Sequence, residues 1–366
     1  MTRRTFIGKL AFYMQSLMLL SMVPPSLAAA AVNSAAQPKL HYTPLNGKSL
    51  RELAKSGAHH GEGRFLSPIG LERKRRFWQV MSWKLLHSNK FNRHLDSQPI
   101  IPVSVDLEPI RKHHGVSVTF LKHASFLIID GDTTLLIDPV FSDIFWFIKD
   151  YSPLTFDPQT LPKPDHVLIT HGHYDHLDEA SLSTFDRSTH VISPLGYDGV
   201  FKDLNLSNRT RLDWYDTFNS GDVSVTLLPS NHWTMRSPVR GPNRSLWGGY
   251  LIRTSTGYTI YLSGDSAYFD GFEELGRDYA IDLAIINLGA YEPRWFMAQS
   301  HMDPKEAVHA FKELNAKKLM IAHWGTFRLG DEPVHFPPED LRKELAAEGL
   351  LDRWIDIRHG ETFFPV

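Results

Sequence analysis

The chain has 366 residues, with 39 Lys and Arg against 41 Asp and Glu, 19 histidines and no cysteine. That length can bury a sizeable core in one large domain or two ordinary ones, and the balanced charge argues against nucleic acid as the main partner. Without cysteine there is neither a disulfide nor a thiolate site, so any metal must be held by histidine and carboxylate.

Residues 1–30 read as an export signal. Arg3 and Arg4 precede Phe6, Ile7 and Lys9; an apolar run from Leu10 to Val23 follows, then the small-residue stretch Pro24-Pro25-Ser26-Leu27-Ala28. Thr2-Arg3-Arg4-Thr5-Phe6-Ile7 is similar to a twin-arginine signal, with the general secretory route as the alternative. An uncleaved anchor fits less well, because Gln15 interrupts a run shorter than the roughly 20 apolar residues of a spanning helix. The expected location is the bacterial periplasm or the extracellular space, with membrane association open. Residues 31–114 are expected to form a linker, to about Lys48, and then an N-terminal helical extension from Leu50 to about His94. In that extension Phe77, Trp78, Met81 and Leu85 fall near one face beside Arg73-Lys74-Arg75-Arg76. The pattern suits either a helix lying on a membrane surface or one packed on the domain with a solvated basic turn.

From Gly115 the hydrophobic period changes to that of strands. Val116–Phe120, Ser125–Asp130 and Thr133–Asp138 are short β-rich runs separated by turn residues such as Gly131-Asp132. Further strands are expected at His166–Thr170, Val191–Ser193, Val223–Leu228, Trp247–Thr254, Tyr258–Ser263, Leu283–Asn287 and Lys318–Ala322. Asp303, Pro304 and Glu306 announce a helix with a capped start, continued by Ala307, Val308, Phe311 and Leu314. Many strands with interspersed helices predict an α/β fold of two packed sheets covered by helices, over residues 115–366.

The chemistry concentrates in Val167-Leu168-Ile169-Thr170-His171-Gly172-His173-Tyr174-Asp175-His176-Leu177-Asp178. An apolar strand runs straight into His171, His173, Asp175 and His176, whose directions are thereby fixed before metal arrives. Imidazole and carboxylate donors suit zinc, while manganese and iron also accept such ligands. Donors crowded this closely suggest two ions sharing the loop.

The string His171-Gly172-His173-Tyr174-Asp175-His176 resembles the signature of the metallo-β-lactamase superfamily, whose members fold as an αββα sandwich of two mixed sheets. The resemblance implies a later histidine, a bridging aspartate and a last histidine at strand ends, matched by Asn231-His232-Trp233, Ser263-Gly264-Asp265 and Ala322-His323-Trp324. It implies one metal at His171, His173 and His232, and a second at Asp175, His176 and His323. Asp265 would lie between them. Other segments resemble the N-acyl-phosphatidylethanolamine-hydrolysing phospholipase D family: Leu121-Lys122-His123-Ala124-Ser125-Phe126, Leu136-Ile137-Asp138-Pro139-Val140-Phe141, Gly264-Asp265-Ser266-Ala267-Tyr268, Gly289-Ala290-Tyr291-Glu292-Pro293-Arg294-Trp295-Phe296-Met297, His301-Met302-Asp303-Pro304 and His323-Trp324-Gly325-Thr326-Phe327. Together they span roughly Val116 to Arg328.

That resemblance implies a phospholipid substrate and a two-zinc phosphodiesterase releasing N-acylethanolamine and phosphatidic acid, with Asp175, Asp265 and His301 in catalytic roles. Zinc lowers the pKa of bound water from 15.7 to about 7, which supplies a nucleophile at neutral pH. His301 would contact the phosphate, protonate the leaving group, or merely tie down a loop. Tyr174 and Ser300 are expected to line the substrate cavity, although Ser300 stands where animal members have Gln. Asp138 and Asp178 are candidate acceptors for the ligand histidines' remaining N–H groups, or else turn and cap residues. Arg294 would pair with phosphate or form an internal salt bridge. Phe141, Ile144, Phe145, Trp146, Phe147 and Ile148, with Trp295-Phe296-Met297, would receive acyl chains or touch a bilayer if exposed, and otherwise belong to the core. The competing readings are a lactonase or other ester hydrolase of the same fold, and a non-catalytic exported binding protein.

Overall fold

Apolar side chains recurring at every second residue sort the chain into layers. In the seven-stranded sheet, Val118, Phe120, Phe126, Ile128, Leu135, Ile137, Leu168 and Ile192 point into one core, shared with the second sheet. Leu121, Leu127, Leu136, Val167, Ile169 and Val191 point the other way, into a smaller core completed by Leu177, Leu182, Tyr197, Phe201 and Leu206. Both faces are covered, so the strands read as nearly continuous apolar runs.

The computed structural model describes residues 48–69, 83, 88–95, 97–237 and 239–365. The expected export signal, the linker up to residue 47 and the basic, aromatic stretch around Phe77 lie outside the described residues. The strands, in chain order, are β1 (His60–Gly61), β2 (Arg64–Phe65), β3 (Val116–Lys122), β4 (Ser125–Asp130), β5 (Thr133–Ile137), β6 (His166–Leu168), β7 (His190–Pro194), β8 (Arg209–Leu212), β9 (Thr217–Ser220), β10 (Val223–Leu228), β11 (Gly249–Arg253), β12 (Thr259–Leu262), β13 (Leu283–Asn287), β14 (Lys318–Ala322) and β15 (Thr362–Phe363). One sheet has the order β15-β3-β4-β5-β6-β7-β8 and the other β14-β13-β12-β11-β10-β9; β1 and β2 form a separate hairpin. Parallel pairing runs from β5 to β8 and from β12 to β14, with antiparallel pairing elsewhere, so both sheets are mixed. Helices Gly271–Asp278, Pro304–Glu313 and Phe336–Ala347 cover the six-stranded sheet with buried residues such as Phe272, Phe311 and Leu341. Asp303 caps the second of these in a full capping box with Glu306, as its sequence announces.

Three expectations need correction. Packing begins well before residue 115: the described residues 48–69 belong to the same compact unit as the described residues from 89 onward. Leu50 is buried in the main core with its N–H bonded to Glu274, and His59 and His60 both reach Asp213. Of the helical character assigned to Leu50–His94, the described residues keep Leu50–Lys55, Trp83 and Asn92–Leu95, while Gly57 (φ +65°) turns the chain into the β1–β2 hairpin; most of the stretch between residues 70 and 87 lies outside the described residues. Strands β8, β9 and β15 went unforeseen. β9 is polar and alternates exposed with half-buried residues at a sheet edge, and β15 pairs only two residues with β3. Among the described residues no helix is long and apolar enough to cross a membrane.

Candidate metal centre

The pairing directions bring the C-terminal ends of β3, β5 and β6 to one edge of their sheet, and those of β10, β12, β13 and β14 to one edge of theirs. His123 follows β3, the His171–His176 string follows β6, His232 follows β10, Asp265 follows β12 and His323 follows β14. Residues far apart in sequence therefore converge without any long loop. The backbone is forced at several of these tips: His123 (φ +52°), Asp138 (φ +41°) and His323 (φ +67°) adopt the left-handed conformation that ordinary residues avoid. Glycine is needed at 264 (φ +56°), where a Cβ would stand 2.7 Å from the Gly248 carbonyl oxygen.

All seven expected ligands meet there, in two groups. Donor atoms of His171, His173, His232 and Asp265 lie within 4.8 Å of one another, as do those of Asp175, His176, His323 and His123. Asp265 stands between the groups. Its Oδ2 is 3.6 Å from both His171 Nε2 and His232 Nε2, while its Oδ1 is 3.3 Å from His176 Nε2 and 3.4 Å from His323 Nε2. Asn287 donates to that Oδ1 at 2.9 Å and sets the carboxylate plane.

Outer contacts fix the rings. His176 Nδ1 donates to Asp138 Oδ2 at 2.7 Å, and Asp138 also accepts from the Thr170 N–H at 2.7 Å. His232 Nδ1 donates to the Ser300 carbonyl at 3.0 Å, and His171 Nδ1 lies 3.1 Å from Thr170 Oγ1. Each bond selects a tautomer that leaves Nε2 facing the donor group. Asp138 thus fills the acceptor role proposed for it. Asp178 does not: it caps helix Glu179–Leu182 through the Ala180 and Ser181 N–H groups and accepts from Ser142 Oγ.

The electrostatics match a cation site. Burial alone would raise Asp175 and Asp265, but the surrounding imidazoles hold both well below the usual carboxylate range. Burial and neighbouring rings keep His171 neutral. Against burial, Asp265 and Asp175 push His176 up, and they lift His323 to about 9. Protons there supply the positive charge that the two carboxylates demand. His176 Nε2 is buried and, among the described residues, has no hydrogen-bond partner. Nitrogen and carboxylate donors in two convergent groups, sharing one carboxylate, fit a pair of divalent ions.

The remaining candidates divide. His301 reaches the centre, its ring 5.3 Å from His232 and 5.5 Å from His323, and burial lowers it to about 3. Tyr174 is half-buried; its hydroxyl donates to the Arg236 carbonyl at 2.5 Å and its ring lies under the Arg236 guanidinium. Ser300 is buried, and its carbonyl serves His232. Arg294 takes the internal role, bonded to Glu306 at 2.6 Å and to the Tyr291 and His301 carbonyls. The aromatic run after Pro139 splits: Ile144 is buried beside Val140 and Phe327, whereas Trp146 is 84% exposed and Phe147 52%. The sequence places His123 in a family-like string without giving it a role, and it carries no sign of Arg236, which bonds the Gly172 and Leu177 carbonyls across the ligand loop.

A model of the beta-lactamase superfamily domain matches residues 133–324. N-acyl-phosphatidylethanolamine-hydrolyzing phospholipase D 1 of Caenorhabditis elegans is 31% identical over 286 residues, covering 72% of this chain and 80% of the relative. A mitochondrial N-acyl-phosphatidylethanolamine-hydrolyzing phospholipase D of Saccharomyces cerevisiae is 32% identical over 260 residues, covering 67% of this chain and 55% of that protein. Among solved structures, a possible metal-dependent hydrolase from Veillonella parvula superposes with a TM-score of 0.56 at 16% identity, over 69% of this chain and 99% of that one, which speaks to the fold. With its ligand set complete and its sheets so arranged, the chain belongs to the metallo-β-lactamase superfamily and is a metal-dependent hydrolase of that fold.

Proposed function

We propose that this hydrolase is a two-zinc phosphodiesterase of phospholipase D type, cleaving N-acyl-phosphatidylethanolamine to N-acylethanolamine and phosphatidic acid. The observation that carries the reading is its similarity to the C. elegans enzyme over 80% of that protein's length, with both donor groups intact here. His171, His173 and His232 would hold one ion and Asp175, His176 and His323 the other, with Asp265 shared. Bound there, such ions lower the pKa of water toward neutrality and neutralise the charge of a phosphodiester.

The chain's own residues position and exclude. Asp138, Thr170 and the Ser300 carbonyl fix the ligand rings, so little reorganisation remains when substrate arrives. His301, neutral at physiological pH, suits a hydrogen bond to a phosphate oxygen better than delivery of a proton from an imidazolium. Hydrolysis joins the oxygen of water to phosphorus, in line with the departing oxygen. The bond to the N-acylethanolamine oxygen breaks, and the proton ends on that alcohol.

An apolar approach supports a lipid substrate. The Phe145 ring meets Tyr174 edge-on at 5.0 Å and stacks on Phe147 at 5.3 Å, and Phe147 meets the exposed Trp146 at 5.6 Å. These rings run from the surface to the ligand loop and suit acyl chains or peripheral contact with a bilayer. Export through the Arg3-Arg4 leader belongs to the same proposal.

The test is zinc-loaded protein with N-acyl-phosphatidylethanolamine vesicles, both products followed by mass spectrometry. Phosphatidic acid and N-acylethanolamine should appear in equal amounts. Diacylglycerol in place of phosphatidic acid would refute the bond assignment. Turnover of an acyl lactone without any diester cleavage would make the protein an ester hydrolase instead.

A further inference from the structure

His123 is fully buried and adopts φ +52°, in the left-handed region that few residues other than glycine occupy. Three contacts hold it there. Its N–H donates to Thr326 Oγ1 at 3.0 Å, its carbonyl accepts from the His323 N–H at 2.7 Å, and its Nε2 lies 3.0 Å from Asp175 Oδ2. Backbone and ring thus link two residues of the second donor group, with the His123 and His323 ring centres 4.2 Å apart.

The geometry sets His123 apart from the ligands beside it. His176 Nε2 and His323 Nε2 each face both carboxylates, at 3.6 and 3.2 Å from Asp175 Oδ2 and at 3.3 and 3.4 Å from Asp265 Oδ1. They enclose a point between the two acids. Among the described residues His123 has one carboxylate contact, to Asp175. With Asp175 Oδ2 as that one carboxylate neighbour, the His123 Nε2 suits the role of a protonated donor, and a protonated Nε2 has no lone pair for a metal.

We propose that His123 is a positioning residue for the second ion, its Nε2–H fixing Asp175 Oδ2 in the direction that the ion requires while the imidazole itself does not bind metal. The strain at φ +52° is the cost of bringing a donor behind a ligand carboxylate at the tip of β3. The inference rests on the two-ion reading above and deepens it.

The test is metal titration of the full chain against a chromophoric chelator, comparing wild type with His123→Ala and His123→Gln, and cobalt(II) spectra of each at saturation. His123→Ala should weaken one of two sites by about 10–100-fold and leave the other within about twofold. Gln keeps an N–H donor and should recover part of the loss. The saturated cobalt spectra should superpose, because no ligand has been removed. A changed ligand-field spectrum would make His123 a metal ligand and overturn the proposal; so would equal affinities in all three proteins, or failure of both variants to fold. Wild type that binds fewer than two ions would instead sink the two-ion reading.

Discussion

Two loops meet over the donor groups, and different forces hold them. The ligand loop, residues 170–178, leaves a buried strand directly and is anchored by short contacts: Asp138 takes the Thr170 N–H and His176 Nδ1, and Thr234 Oγ1 takes the Gly172 N–H. The facing loop, residues 288–303, brings His301 and the Ser300 carbonyl to the site but carries no expected metal ligand. Its anchors are charged and distant. Glu332 accepts from the Tyr291 and Glu292 N–H groups at 3.1 Å each, and Arg294 grips the Tyr291 and His301 carbonyls while paired with Glu306. Metal affinity should therefore follow the first loop, whereas turnover and the pH response of stability should follow the second.

The largest effect should come from Asp265, the carboxylate shared by both donor groups. Asp265→Asn should lower kcat/KM by more than the ~10–100-fold that outer contacts typically cost, and should reduce bound zinc measured by elemental analysis. Unchanged zinc content would show that the carboxylate does not bridge. Asp138→Asn tests the ligand loop alone. Its amide opposes the His176 N–H, so affinity for one ion should fall by about 10–100-fold in metal titrations while the other site is spared. Arg294→Ala tests the facing loop, and about tenfold lower kcat/KM with both ions retained is expected from a slightly misplaced His301. Loss of metal in this variant would erase the distinction between the loops.

The smallest effect on activity is expected at Glu332, where the readout is stability. Burial lifts this carboxyl from 4.5 to about 7, against the backbone N–H groups that favour its charge. A raised folded-state value means stability that is fully present below pH 4.5 and is lost as pH rises through about 7, on the order of 3 kcal/mol in all. Urea denaturation of wild type should show that decline relative to Glu332→Gln between pH 5 and 8. Parallel profiles for the two proteins would remove Glu332 from the account.

The same two loops explain what could be read in the sequence. His171, His173, Asp175 and His176 are legible because they are contiguous and follow an apolar strand, whereas His232, Asp265 and His323 become legible through the family resemblance, which calls for such residues at the ends of later strands. Two sheets covered by helices are legible from the many short strands with helices between them, and the αββα order from the family resemblance. The roles of His123 and Glu332 are not legible, since both act through long-range contacts, His123 with Asp175, Thr326 and His323 and Glu332 with the Tyr291 and Glu292 N–H groups, and no spacing encodes such contacts. The backbone role of Ser300, whose carbonyl serves His232, is not legible because no residue type announces it. The hairpin at β1 and β2 escaped because its strands are only two residues long.

The most direct test of the central claim is anomalous diffraction from crystals of the zinc-loaded protein. Two zinc peaks are expected, one bonded to His171, His173 and His232 and one to Asp175, His176 and His323, with Asp265 bonded to both. A single peak, or a second one held by residues outside this set, would contradict the account.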